Sequence, residues 1–246
     1  MRFPASAEAL RWAVAAWRTA APRVADPAWQ AEWLRCEGTW FAGVDLLPNA
    51  PDGSVGGIPL GGPALDVLDR LGLRPARWHA AQVSVTYPGY PRAKEGESPG
   101  AARFRLRRDA AHVDGLLPEG QPPRRFLREP HAFILGIALT PAPADAAPLV
   151  VWPGSHHVLG ASFAAERKRA GMPPVDRLDL TQVYAETRRA LFETHPRTEI
   201  PLAVGEAVLL HRHLLHGIAT WRAPPQTQGR AIAYFRPEFD EAEAWF

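Results

Sequence analysis

The chain has 246 residues, 46% of them hydrophobic and 22% charged, with a formal net charge of +2. That length and apolar content suit one domain, residues 1–246, with a full core, and argue against general disorder. The near-neutral balance gives no basic face for nucleic acid, because a small arginine excess is enough to carry the pI to about 9.0. The single cysteine, Cys36, excludes an intrachain disulfide. No apolar run approaches the ~18 residues of a membrane helix, and the first residues lack the apolar stretch of a signal peptide. The expectation is a cytoplasmic protein with neither nucleic-acid nor membrane partners.

In chain order, residues 6–20 read as a helix, with Leu10, Val14 and Trp17 on its apolar face and Trp12 flanking it. Asp26-Pro27 supplies an N-cap and a first-turn proline for a second helix running to about Cys36. Thr39–Pro48 reads as extended and is followed by a glycine-rich loop. A third helix fits 62–71, closed by Gly72. Residues 1–75 thus form a helical part, and a β core follows over 78–237. From His79 the period shifts toward two, predicting strands at 79–87, 103–112, 132–140, 148–152, 206–216 and 230–236. Helices are expected at about 161–170 and 180–194, the latter capped by Asp179. Residues 91–102 carry charge, proline and glycine without an apolar anchor, which predicts a mobile surface loop, either a lid that orders over a bound substrate or an inert surface insertion. Arg103, Arg105 and Arg107 alternate as the solvated face of a strand, or as an anion clamp if a bulge brings them into phase with His112.

Three residues stand out chemically. His112-Val113-Asp114 places an imidazole and a carboxylate two positions apart, and His216-Gly217 closes a later strand. Two imidazoles and one carboxylate can occupy one face of an octahedral iron and leave three positions open. Arg230 opens the strand-like run Arg-Ala-Ile-Ala-Tyr-Phe, where a guanidinium can clamp a carboxylate through two parallel bonds. With these ligands the expected class is mainly β with flanking helices (α+β), around a double-stranded β-helix (jelly roll, cupin-like) that brings strand ends to one mouth.

The strand Gln82–Thr86 with its Pro88-Gly89 turn, the His-x-Asp pair, Pro153-Gly-Ser-His156, Gly205-Glu206 with the strand to His216-Gly217, and the arginine after it carry a resemblance. Together they resemble the phytanoyl-CoA dioxygenase family of iron(II)/2-oxoglutarate oxygenases, over roughly residues 78–237. The resemblance implies that His112, Asp114 and His216 bind Fe(II), that Arg230 binds the distal carboxylate of 2-oxoglutarate, and that Gln82 is a second contact to this cosubstrate. Arg222 and Arg236 are rival anchors, because the spacing from His216 to Arg230 is a few residues longer than the family's. The implied reaction is hydroxylation of a small-molecule substrate. It is favoured over halogenation because the Asp114 carboxylate fills the position a halide would need.

The alternative is a cupin-like metal-binding barrel, an isomerase or sensor, which has no need of a carboxylate anchor such as Arg230. His211 and His213 read as a polar strand face or as donors behind the ligands, and the family register selects His216 as the ligand. The Pro-Gly-Ser turn reads as placing backbone against the barrel, with His156 and His157 near the pocket. Trp152 and His131 read as core residues. The tryptophan-rich N-terminal helices offer a face for a homodimer.

Overall fold

The computed structural model describes residues 1–225 and 228–246. In chain order the elements are β1 (Arg2–Phe3), α1 (Ala7–Val24), α2 (Pro27–Trp33), β2 (Leu34–Arg35), β3 (Trp40–Phe41), α3 (Pro63–Arg70), β4 (Gln82–Thr86), α4 (Pro99–Arg108), β5 (Leu116–Glu119), β6 (Arg124–Leu127), β7 (Phe133–Ala138), β8 (Leu149–Val151), α5 (Ser155–Arg169), α6 (Thr181–Thr194), β9 (Thr198–Ile200), β10 (Ala207–His211), β11 (His216–Ile218) and β12 (Arg230–Phe235). A seven-stranded sheet runs β1-β10-β7-β12-β4-β3-β2, and a three-stranded sheet runs β11-β8-β9. Every pairing in both is antiparallel. The β5-β6 hairpin stands apart.

These two sheets are the walls of a jelly roll. The side-chain alternation of β12 shows how they are filled. Ile232 and Tyr234 join Ile134, Leu149, Val151 and Leu210 in the core between the sheets. Ala231, Ala233 and Phe235 face the other way and pack with Trp12, Leu65, Leu68 and Trp78 beneath α1 and α3. The large sheet is therefore buried on both faces, which is why β7 and β12 are buried along their whole length. The outer face of the small sheet is covered by α5 and α6, through Trp152, Leu159, Phe163, Tyr184 and Leu191.

The expected helices 1 to 3 and the strands around 82–86, 133–138, 149–151 and 230–235 are present, with ends shifted by a few residues. Asp26 caps α2 through bonds from the Ala28 and Trp29 amides. That helix ends at Trp33, because Leu34-Arg35 pairs with β3 instead.

Three expectations are corrected. The apolar face of α1 centres on Trp12, which is fully buried and donates its indole N–H to Gly53 O at 2.9 Å, and not on Val14, which is 59% exposed. Alanines 9, 13, 16 and 20 line that face, because small side chains let the helix lie close on the sheet. The strand predicted at 103–112 is instead α4. Ser98 caps it by accepting the Ala101 amide, Pro99 starts it, and Asp109 ends it in the left-handed conformation. The single strand predicted over 206–216 is two strands, β10 in the large sheet and β11 in the small one. The chain turns between them, with Leu214 N bonding His211 O.

Candidate metal and cosubstrate site

His112 and His216 meet as an isolated antiparallel bridge. His112 N donates to His216 O at 2.8 Å, and His216 N donates to His112 O at 3.1 Å. The backbone thus sets the two rings side by side, with centroids 4.7 Å apart. Each Nδ1 lies on a carbonyl, Ala110 O at 3.0 Å and Leu214 O at 2.9 Å, which fixes it as the protonated nitrogen. Each Nε2 faces Asp114 Oδ1, at 3.0 Å for His112 and 3.7 Å for His216. One ligand atom from each of the three residues lies within 4.8 Å of the others, and this is the only such metal-competent group among the described residues. Orientation of a ligating imidazole by a bond at its other nitrogen is the usual arrangement at metal sites.

Electrostatics sharpen the picture. Burial by itself raises the Asp114 pKa, but Arg236, His216 and His112 together outweigh it and hold the carboxyl well below the usual carboxylate range. Burial opposes a charge on His112 as well; there the Asp114 bond and charge prevail, and its pKa is raised. For His216 burial wins and the pKa is pushed down to about 4.

The segment around the triad is tightly held. Asp109 and Ala110 both adopt left-handed backbone before His112. Asp109 is clamped by the Arg197 guanidinium through two bonds of 2.7 Å. Asp109 O lies so close to Gly217 that a Cβ there would fall 2.2 Å from it, so only glycine can follow His216. Val113 N donates to the Tyr184 hydroxyl at 3.1 Å. Ser155, fully buried in the Pro-Gly-Ser-His turn, accepts the Leu215 amide on its Oγ at 2.9 Å, and Trp152 N donates to Leu215 O at 3.0 Å. The turn therefore positions the residue just before His216. Ser155→Ala strands a buried amide, at a cost of roughly 1–3 kcal/mol. The expected result is a lower urea midpoint together with weaker Co(II) uptake; unchanged values of both would refute this role.

A cavity of about 590 Å³ opens beside the triad, lined by His112 and His216 and walled by Trp33, Trp40, Tyr90 and Phe104. A more polar cleft of about 900 Å³ touches Asp114 but neither imidazole. Arg230 is buried at the first position of β12, paired with Thr86 of β4. Its Nε has no partner, and its polar neighbours are the phenols of Tyr234 and Tyr90, both in the wall of the smaller cavity. Of the rival arginines, Arg222 is bound to Glu199 at 2.6 Å, and Arg236 to Asp114. Gln82 lines the cavity, but its amide is engaged at both ends, by Arg236 and by Ala42 O. Arg105, on the α4 helix, also reaches the cavity wall, paired with Glu97. Arg103 and Arg107 are not among the lining residues, so the three arginines form no shared clamp. His211 and His213 lie off the triad, against His156 and Trp245 respectively.

The bond of Arg236 to Asp114, the role of Tyr184 and the Asp109–Arg197 pair have no counterpart in the sequence reading, where Arg236 enters only as a rival anchor. Their contacts join residues 71 to 122 positions apart, which leaves no local pattern to read.

A jelly roll with two histidines and one carboxylate gathered beside a cavity is the scaffold of a mononuclear metal enzyme. The family model of phytanoyl-CoA dioxygenase matches residues 94–220, more than half of the chain, and the chain belongs to that family. Its cofactors are iron(II) and 2-oxoglutarate, and the donor set fits the metal. No curated protein matches the chain.

Similar solved structures include EctD from S. alaskensis with 2-oxoglutarate and 5-hydroxyectoine, at 15% identity over 96% of this chain and 70% of that one, TM-score 0.43. Two others come from nogalamycin biosynthesis. One is the carbocyclase SnoK, at 17% identity over 66% of this chain and 55% of that one, TM-score 0.34. The other is the epimerase SnoN in complex with Fe3+, alpha ketoglutarate and nogalamycin RO, at 17% identity over 63% and 48%, TM-score 0.33. The chain spans about half the length of these two nogalamycin proteins. Among the described residues no helix is long and apolar enough to cross a membrane.

Proposed function

We propose that this chain is an iron(II)- and 2-oxoglutarate-dependent hydroxylase of a small molecule, working as one domain. His112 Nε2, His216 Nε2 and Asp114 Oδ1 would hold the metal, and Arg230 would hold the C5 carboxylate of 2-oxoglutarate. When bound, iron and 2-oxoglutarate would activate dioxygen, the oxidant: one of its oxygen atoms would leave in succinate as carbon dioxide is released, and the other would enter a substrate C–H bond as the hydroxyl. The protein's own contribution is placement. The Nδ1–carbonyl bonds aim both imidazoles, and three ligands on one side leave the remaining positions to cosubstrate and oxygen. The aromatic wall of Trp33, Trp40, Tyr90 and Phe104 keeps bulk water from the reacting face and suits a largely apolar substrate. A cavity of about 590 Å³ that must also admit the cosubstrate limits that substrate to metabolite size.

The observation that carries this reading is Arg230, a buried guanidinium with an unpartnered Nε in the same barrel as the triad. A buried arginine without a counter-ion is costly unless an anion completes it. A metal-binding isomerase or sensor gives no reason to keep one there. The test is succinate formation by the purified protein without added substrate. Slow turnover that requires iron, oxygen and 2-oxoglutarate together is expected, whereas metal binding with no succinate formed would favour the non-oxygenase barrel.

A further inference from the structure

Arg236 immediately follows β12, on the same face as Tyr234, and its guanidinium lies over the Tyr234 ring at 5.1 Å from the centroid. Its Nε donates to Asp114 Oδ2 at 2.6 Å, and its Nη1 donates to Gln82 Oε1. Gln82 is itself fixed, because its Nε2 donates to Ala42 O at 2.8 Å. A chain of bonds therefore runs from the β3 end of the sheet through Gln82 and Arg236 to one oxygen of Asp114. The other oxygen, Oδ1, is the one that faces both imidazole Nε2 atoms. Arg236 also lines both the triad cavity and the polar cleft, so it stands at the wall between them.

We infer that Arg236 is a positioning residue that assigns Asp114 Oδ1 as the single ligating oxygen. The inference rests on the reading of His112, Asp114 and His216 as a metal site. A carboxylate can bind a metal through one oxygen or two. Held by the guanidinium, Oδ2 is unavailable, so Asp114 fills one coordination position and leaves its neighbour open. The guanidinium also locks the rotation of the carboxylate before metal arrives. Partners of this kind behind a ligand typically contribute 10–100-fold to metal affinity. Arginine suits the task better than lysine, because its fork reaches Asp114 and Gln82 at once.

The test uses Co(II) as probe on the full chain, by calorimetry and visible absorption. Wild type is expected to take up one Co(II). Arg236→Met should bind it roughly 10–100-fold more weakly and with an altered visible spectrum, since the released carboxylate can swing to two-oxygen ligation. Arg236→Lys should restore part of both. Gln82→Met, which removes only the outer support of the guanidinium, should shift both readouts the same way by less, and it serves if Arg236→Met fails to fold. Arg236→Met binding Co(II) as tightly as wild type with the same spectrum overturns the inference alone. Tighter binding also overturns it, by showing that the guanidinium competes with the metal. Failure of the wild type to take up Co(II) overturns the metal-site reading itself.

Discussion

Asp114→Ala is expected to abolish iron- and 2-oxoglutarate-dependent oxygen consumption while thermal unfolding remains a single transition. Asp114 Oδ1 is the atom on which both imidazoles converge. Without it two imidazoles remain, and the loss should exceed the ~100-fold that removal of a partner behind a ligand can bring. The fold should survive because the loss is confined to the ion pair with Arg236 and leaves the apolar core between the sheets untouched. Removing a buried carboxylate relieves its desolvation, and the cost is an Arg236 guanidinium left with Gln82 alone, roughly 3–5 kcal/mol for a broken buried pair. The pH dependence follows from the direction of the shift. The folded-state pKa of Asp114 lies below the unfolded one, so its contribution to stability is in place at neutral pH and is lost as pH falls through the folded value. The stability gap between wild type and Asp114→Ala should therefore narrow in acid. Metal content and oxygen uptake measured side by side decide the point: a variant that keeps one tightly bound iron removes Asp114 from the ligand set.

Arg230→Lys should raise the dissociation constant for 2-oxoglutarate by more than tenfold while leaving Co(II) binding in its absence unchanged. Lysine keeps the charge but loses the planar fork that engages both carboxylate oxygens. Arg230→Ala should be worse. Truncating one partner of a buried, hydrogen-bonded charge pair costs roughly 2–5 kcal/mol, and here the anion would enter a buried site with only the Tyr90 and Tyr234 phenols to meet it. Burial pulls the Arg230 pKa down from the ordinary arginine value, which marks how little solvent screens this charge. Calorimetric titration of 2-oxoglutarate into the metal-loaded variants measures the effect. If Arg230→Ala binds as wild type does, the anchor passes to Arg236 in the cavity wall or to Arg222, which is now tied to Glu199 near the surface.

The candidate ligand and anchor residues were legible in the sequence because their constraints are local. His-x-Asp, His-Gly and the strand-opening arginine each sit where a strand or bridge ends. The glycine after His216 is demanded by the approach of Asp109 O, a contact that leaves a one-letter trace. Pro-Gly-Ser-His was legible as a turn that places backbone, and the Ser155 bond to Leu215 gives that turn its atomic purpose. The error at 103–112 has a definite cause. Alternating arginines imitate the period of a strand, while the stronger signals, a Ser98 cap, a first-turn Pro99 and a terminal Asp109, lay at the ends of the segment. The α4 helix they define presents Ala101, Phe104 and Arg105 to the cavity, and Phe104 rests against Phe192 of α6. Of the segment 91–102, the last four residues, Pro99 to Ala102, are thus the first turn of that helix.

By itself the sequence determined helices α1 to α3, the strands around 82–86, 133–138, 149–151 and 230–235, the ligand candidates and the family, because apolar periodicity, capping and short motifs act within a few residues of one another. Only the tertiary structure decided that the strand before His216 breaks and passes from the large sheet to the small one. Only it placed Asp109 under Arg197, and Asp114 Oδ2 under Arg236 across 122 positions. Those contacts are made between side chains of distant elements. Their partners are chosen by where the two sheets and their covering helices bring charges within a few ångströms, and nothing in the neighbouring residues encodes that distance.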